Sequence, residues 1–143
     1  MKRKTVIFAL MFLIVSGIAF SVEYTVIVNK SNPEQEIQVK ALKKIFMGDI
    51  NSWTNGNQIK LASLNTGDVF TEFVKGILKM TTMQFSIFWK QKVFTGNGTG
   101  TDIKFFKDDR GVKEYVAATP DAVGYIATES LDETVKELKI ISE

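Results

Sequence analysis

Cysteine and histidine are both absent from the 143 residues of this chain. Without them the chain cannot form a Ser-His-Asp or Cys-His nucleophile pair, a Cys/His zinc site, a disulfide or a lipid anchor on cysteine. Paired carboxylates or a Ser-Lys pair would still permit catalysis, but no such constellation stands out. The sequence therefore predicts a protein that is not an enzyme, that uses no cofactor or metal, and that depends on packing for its stability.

The N-terminus has the pattern of an export signal. Three basic residues at positions 2–4 precede an uncharged apolar stretch from Val6 to Phe20, and small residues stand at the cleavage position. We predict cleavage after Ser21, which makes residues 1–21 a signal peptide and places the remaining chain in the periplasm or outside the cell. A retained membrane anchor is the alternative, but about 15 apolar residues fall short of the roughly 20 that a spanning helix needs.

Positive charge is not clustered in the remaining chain. The sequence has 18 basic and 16 acidic residues, and three of the basic ones lie in the predicted signal, so residues 22–143 carry 15 minus 16, a formal net charge of −1. Because a nucleic-acid footprint needs a clustered basic face, we predict no nucleic-acid partner. About 122 residues are enough for one domain with a real core, so we assign residues 22–143 to a single domain.

Runs rich in β-branched and apolar residues indicate the strands. The first, Tyr24–Val28, is apolar at nearly every position, which indicates burial on both faces. Gly124, within a later apolar run, marks either a close approach of another segment to the backbone or a need for special backbone dihedrals. The remaining predicted strands lie at residues 59–64, 103–106, 122–127 and 135–141.

Helical spacing of apolar residues predicts helices at residues 39–46, 68–78, 81–93 and 109–118. Thr81 and Gln84 stand three residues apart, as in a capping box, which marks the start of the third helix. Asp108 is suited to cap the fourth helix, and Pro120 ends it. This order of strands and helices favours a single α/β unit with helices on both faces of the sheet.

Four segments stand in the order and spacing found in phosphate-binding periplasmic proteins of the PstS type. They are TVIVNKSNP, LKKIFMGDINSW with its following Asn-Gly turn, FWKQKVFTGNG and VAATPDAVGYIA, of which the last is the most specific. The chain most resembles the short, stand-alone members of that family, named phosphate ABC transporter substrate-binding proteins. The resemblance covers nearly all of residues 22–143. It implies one lobe of a type II periplasmic-binding-protein fold, with a mixed sheet flanked by helices.

The resemblance also implies where a ligand would lie. Full-length members close two lobes on phosphate, whereas this chain has room for one lobe. In the family, a turn of the type R-x-x-x-S-G-T surrounds the anion with hydroxyl groups and helix-start amides. Here Gly67, Asp68 and Val69 stand where Ser-Gly-Thr would be. Leu64 and Phe70 flank the turn, where arginine is common in the family.

The turn Asn65, Thr66, Gly67 and Asp68 is the candidate anion-binding site, with Lys30 as the cation that the family pattern places nearby. Two interpretations stay open: a turn in which Thr66 or Asp68 caps its own helix, or a weak, altered ligand site. Micromolar binding needs about −8 kcal/mol. Losing two hydroxyls, an arginine and the opposing lobe removes most of that, and the Asp68 carboxylate competes for the same amides.

Three other features have ordinary explanations beside functional ones. The segment TGNGTGT, residues 95–101, favours a flexible connector over a phosphate cradle, because no Lys-Ser/Thr follows it. Trp53 and Trp89 favour core or lobe-edge packing over stacking on a ligand. If Lys30 is not a ligand, it is an ordinary exposed lysine.

Two functions follow from these observations. The first is an exported solute-binding-like protein of the PstS-like family with a degraded anion site, which binds a small phosphate-like anion weakly, alone or as a homodimer whose two lobes form a cleft. The alternative is a ligand-free interaction module that docks to an envelope protein. The alternative predicts exposed apolar residues on the cleft side of the lobe.

Overall fold

The structure, a computed structural model, describes residues 22–96 and 102–142. The predicted signal peptide and most of the predicted connector at residues 95–101 lie outside the described residues. In chain order the elements are β1 (Tyr24–Val28), β2 (Glu36–Gln38), α1 (Val39–Phe46), β3 (Lys60–Leu64), α2 (Asp68–Phe73), a π-helical turn (Val74–Leu78), α3 (Thr82–Phe94), β4 (Asp102–Phe106), α4 (Asp109–Ala118), β5 (Ala122–Ala127), a 3-10 turn (Thr128–Ser130), β6 (Lys136–Glu137) and β7 (Lys139–Ile141).

The main sheet is mixed and has the strand order β4-β3-β5-β1-β6. Strand β3 runs parallel to both β4 and β5, whereas β1 runs antiparallel to β5 and β6. A second, two-stranded sheet pairs β2 with β7 in parallel. The predicted fold class, one α/β lobe with a mixed sheet flanked by helices, is confirmed.

Helices cover both faces of the main sheet, as predicted. Successive side chains of a strand point to opposite faces of the sheet. Two neighbouring residues of β5 therefore show which helix packs on each face. A Cβ built on Gly124 would lie 2.7 Å from Cγ1 of Val112 in α4. The neighbouring Tyr125 ring stacks on Phe73 of α2, with 3.7 Å between centroids. Of the two explanations for Gly124, the structure confirms the close approach, which is made by α4, and Gly124 is not among the glycines with a positive φ.

The local signals for helix starts and core tryptophans are also confirmed. Thr81 Oγ1 accepts a hydrogen bond from the Gln84 amide at 3.1 Å, and Gln84 Oε1 accepts one from the Thr81 amide at 2.9 Å. Both tryptophans are buried, and each indole N–H donates to a backbone carbonyl. Trp53 donates to Asp121 at 3.0 Å and Trp89 to Phe46 at 3.1 Å.

The predicted last strand, residues 135–141, is two strands in two different sheets. Its first part, β6, pairs with β1, and its second part, β7, pairs with β2. The change occurs at Leu138, which is buried and whose amide donates to the Val26 carbonyl at 2.8 Å. The single-strand prediction was wrong because the partner of β7, the strand β2, has only three residues, too few for their pattern to indicate a strand.

The second helix covers the predicted residues 68–78 but changes its hydrogen-bond register at Val74. Its end is set by Lys79, the only non-glycine residue with a positive φ among the described residues. None of the helices in the part of the chain that is described is long and apolar enough to cross a membrane.

Burial of tyrosine hydroxyls predicts a loss of stability at high pH. Burial raises the pKa of Tyr125 well above its ordinary value, against the lowering effect of its 2.9 Å hydrogen bond with Ser63. Burial likewise raises the pKa values of Tyr24 and Tyr115. Because these pKa values are raised in the folded state, their contribution to stability is fully present below the unfolded pKa of about 10. It is lost as pH rises further, because the tyrosines of the unfolded chain ionise first.

We therefore expect the free energy of unfolding to fall as pH rises above about 10. The substitution Tyr125→Phe removes the most buried of these hydroxyls, so the variant should lose less stability than the parent between pH 8 and about pH 11. Urea unfolding of both proteins across this range measures the difference. Equal losses in the two proteins would show that Tyr125 does not carry the effect.

Candidate functional site

The candidate turn lies at the edge of the sheet where two parallel strands end. Leu64 at the end of β3 is in register with Phe106 at the end of β4, and the Asn65 amide donates to the Phe106 carbonyl at 3.0 Å. Helices α2 and α4 begin a few residues later, at Asp68 and Asp109. Parallel strands end at the same edge of a sheet, so the two helix starts face one cleft.

This cleft is open and has a volume of about 390 Å³. It brings three of the predicted site residues together with a charged segment on the other side. Its lining consists of Leu64, Thr66, Gly67, Asp68, Val69, Lys107, Asp108, Asp109 and Arg110. Sequence reasoning did not assign the second segment to the site. The signal that could have found it is the Asp108 cap directly after a strand that pairs in parallel with β3.

The start of α2 has no side-chain cap. Gly67 occupies the N-cap position at φ 92° and ψ 175°, a conformation that favours glycine, and within residues 22–96 and 102–142 no side-chain cap hydrogen bond is made at this helix start. The first backbone bond of the helix joins the Thr71 amide to the Gly67 carbonyl at 3.1 Å. The structure therefore contradicts the interpretation that Thr66 or Asp68 caps this helix, because the residue in the capping position has no side chain.

This geometry leaves helix-start amides beside the cleft that have no hydrogen-bond acceptor among the described residues. The N–H groups of Asp68, Val69 and Phe70 precede the first helical hydrogen bond, so they have no helical acceptor. The turn from Asn65 to Asp68 is exposed along its length. Such amides, together with the positive end of the helix dipole, can hold an anion.

The start of α4 is different because its carboxylates are already engaged. Asp108 Oδ1 accepts from the Gly111 amide at 2.9 Å and caps the helix, as predicted. Asp109 Oδ2 accepts from the Ala127 amide at 3.2 Å and from Ser130 Oγ at 2.7 Å. These bonds tie α4 to the end of β5. This helix start therefore serves the fold and is not open to a ligand.

Charge in the cleft does not favour an anion. Three carboxylates, those of Asp68, Asp108 and Asp109, stand against the two cations Lys107 and Arg110, so the lining carries a formal charge of −1. The Arg110 side chain is exposed and donates to Glu114 at 2.9 Å, away from the turn. Across residues 22–96 and 102–142, no group of three or more acidic side chains is arranged to hold a metal ion.

The structure does not bring Lys30 to the turn. Strand β1 is antiparallel to β5, with Tyr24 opposite Ala127 and Val28 opposite Val123. Lys30 follows the C-terminal end of β1, so it lies at the N-terminal end of β5. The turn follows β3, which is parallel to β5, and lies at the other end of the sheet. A five-residue strand separates the two by roughly 16 Å.

Asn65 faces a second groove beside the cleft. This groove, of about 780 Å³, lies between α3 and β4 and is mostly apolar, with Trp89, Phe94 and Phe105 among its lining residues. Of the five predicted site residues, the structure therefore groups Thr66, Gly67 and Asp68 in one cleft. It places Asn65 at the border between that cleft and the groove, and Lys30 elsewhere.

A family model for the PBP superfamily domain matches residues 21–140. The chain belongs to the PBP superfamily. The resemblance to PstS-type proteins predicted from the sequence is thus confirmed at the level of the family and the fold. No curated protein matches the chain significantly in sequence.

Solved structures with the same fold include three phosphate-transport proteins. One, assigned as a phosphate ABC transporter substrate-binding protein from Clostridium perfringens and solved with bound phosphate, has a TM-score of 0.63 at 19% identity over 83% of this chain and 45% of its own. An ABC-type phosphate transport receptor from Vibrio cholerae has a TM-score of 0.59 at 16% identity, over 83% of this chain and 46% of its own. PstS from Borrelia burgdorferi has a TM-score of 0.60 at 15% identity, over 84% of this chain and 49% of its own. This PBP-superfamily chain spans about half the length of each of these proteins.

Proposed function

We propose that this chain is an exported solute-binding-like protein of the PstS-like family that binds a small phosphate-like anion weakly at the start of α2. The observation that carries the proposal is the uncapped helix start at Gly67, whose amides face an open cleft. The fold is shared with a protein solved with bound phosphate, which supports the choice of anion. A homodimer that brings two such lobes together would add a second set of donors.

We propose that the anion site is degraded, because the interactions left at the turn contribute far less binding free energy than a tight complex needs. A helix N-terminus contributes about 0.3 to 2 kcal/mol, whereas a micromolar complex needs about −8 kcal/mol. The first turn offers no hydroxyl on Gly67 or Val69, and the Asp68 carboxylate repels an anion at the same amides. Bare amides in a cleft with a formal charge of −1 support millimolar binding at best.

Export is the second part of the proposal. The basic and apolar pattern of residues 1–21 supports cleavage after Ser21 and a location in the periplasm or outside the cell. Every residue of the hydrophobic core cluster lies between Val26 and Leu138. A protein of residues 22–143 therefore retains the whole described core, and it is the suitable material for the experiments below.

The anion proposal is tested by the thermal midpoint of residues 22–143 in phosphate, sulfate and a carboxylate. A millimolar binder should gain about 1.4 kcal/mol at roughly 10 mM anion. The variant Asp68→Asn should bind phosphate about fivefold more tightly, because it removes a like charge whose repulsion at about 4 Å in water costs about 1 kcal/mol.

The matched control is Asp49→Asn. Asp49 is exposed and precedes the loop whose Trp53 bonds to Asp121, at the end of the sheet away from the turn. Its phosphate response should equal that of the parent. The absence of any anion response in both the parent and Asp68→Asn would overturn the proposal and favour the ligand-free interaction module. Equal gains in both variants would place the bound anion somewhere other than the turn.

A further inference from the structure

Helix α3 is apolar on two opposite sides, although only one side packs on the core. Phe85 and Trp89 are buried. Met83, Ile87 and Phe94 are 71%, 48% and 90% exposed. At 3.6 residues per turn these three fall within roughly 40° of one another, on the side away from the buried pair. We call them the outer stripe of α3.

The outer stripe continues into the apolar groove between α3 and β4. Val93 at 66% exposure and Phe105 at 40% exposure both line this groove. Together with the outer stripe, they are all of the large apolar side chains that are exposed in the described residues. Their concentration on one surface, rather than scattered over the molecule, is typical of an interaction site.

The segment that carries this surface has charge of only one sign. Helix α3 contains two lysines, Lys90 and Lys92, and no acidic residue, so its formal charge is +2. The remainder of residues 22–143 has 13 basic and 16 acidic residues, a formal charge of −3. Lys90 is exposed and lines the groove, whereas Lys92 donates to the Met47 carbonyl at 2.9 Å. The lining of the groove therefore contains one exposed lysine and no carboxylate.

We propose that the outer stripe and the groove dock on an anionic phospholipid surface. Apolar side chains on one helix face can enter the boundary between headgroups and acyl chains, while the neighbouring Lys90 reaches the anionic headgroups. A second copy of the chain fits less well, because a two-fold pair through this face would bring two helices of charge +2 together. The groove shares only Asn65 with the turn from Asn65 to Asp68, and the proposal does not depend on the anion proposed to bind there.

The experiment is co-sedimentation of residues 22–143 with two kinds of vesicle, one of phosphatidylcholine alone and one with an equal amount of phosphatidylglycerol. We expect at least tenfold stronger partitioning to the anionic vesicles at low salt, and loss of this preference at high salt. Phe94→Ser should weaken partitioning about tenfold, because it removes the most exposed aromatic ring. Lys90→Gln should weaken it about fivefold.

The control for Lys90 is Lys139→Gln, which removes an exposed lysine from β7 in the second sheet and should leave partitioning unchanged. Thermal midpoints confirm that each variant is folded. Equal partitioning to both kinds of vesicle, or none to either, would overturn the proposal. A concentration-dependent dimer that Phe94→Ser dissociates, with no vesicle binding, would also overturn it and assign the surface to a second copy.

Discussion

The substitution Phe73→Ala is expected to lower the free energy of unfolding by about 3–5 kcal/mol. Phe73 is fully buried, and its ring stacks on Tyr125 and meets Phe46 edge-on at a centroid distance of 4.9 Å. It also meets the Tyr24 ring edge-on at 5.5 Å. The residue therefore joins α2 to α1 and to two strands of the sheet. Its removal leaves a cavity that no single neighbour can fill.

Urea unfolding of residues 22–143 measures this loss, with Phe94→Ala as the matched control. Both substitutions remove a phenylalanine ring from the helical segment after the turn, but Phe94 is 90% exposed. The control should change the free energy of unfolding by less than about 0.5 kcal/mol. Similar losses for the two variants would contradict the packing that the structure assigns to Phe73. Because the total free energy of unfolding of a native domain is only about 5–15 kcal/mol, Phe73→Ala will leave this protein marginally stable.

The substitution Gly124→Ala is expected to destabilise the protein by about 2–3 kcal/mol through overpacking. A Cβ at this position would lie 2.7 Å from Val112 Cγ1 and 3.2 Å from both the Cβ and the carbonyl oxygen of Ala62. The Val112 side chain could make room for this Cβ only if α4 moved away from the sheet. Where a Cβ meets no obstacle, replacing glycine by alanine tends to stabilise the protein, because it reduces the conformational entropy of the unfolded chain. A loss of stability at Gly124 would therefore indicate overpacking.

A double-mutant cycle with Val112→Ala tests the cause. Val112→Ala removes the closest methyl group, so the double variant should be more stable than the sum of the two single changes predicts, by at least about 1 kcal/mol. Additive losses would show that contact with α4 is not the reason for glycine at this position. The Ala62 carbonyl remains in either case, so we expect a partial rescue rather than a full one.

Features set by neighbouring residues could be predicted from the sequence. The capping box at Thr81 and Gln84 and the Asp108 cap involve partners three residues apart, so the sequence contains both groups. Strand β1 was recognisable because it is apolar at nearly every position, and its last three residues, Val26 to Val28, are also buried. A strand of three residues, such as β2, has too few positions for such a signal, which is why the single strand predicted at residues 135–141 was wrong.

The candidate site was only partly predictable. The turn after β3 was identified because a strand, a glycine and a helix follow one another directly. Its second wall was missed because residues 107–110 reach it through the pairing of β3 with β4. The place of Lys30 was misjudged because the family pattern gives the position of a residue along the chain, while the antiparallel direction of β1 decides the end of the sheet at which it lies.

By itself, the sequence determined the local elements, the helix caps, the residues that must be buried and the family to which the chain belongs, because periodicity and short-range hydrogen bonds need only nearby residues. Only the tertiary structure decided that Gly67 leaves its helix start uncapped, that α4 supplies carboxylates to the same cleft, and that α3 keeps an apolar side in solvent. These outcomes depend on strand direction and on contacts between segments far apart in the chain, and each is settled by the packing of the whole core rather than by a local preference.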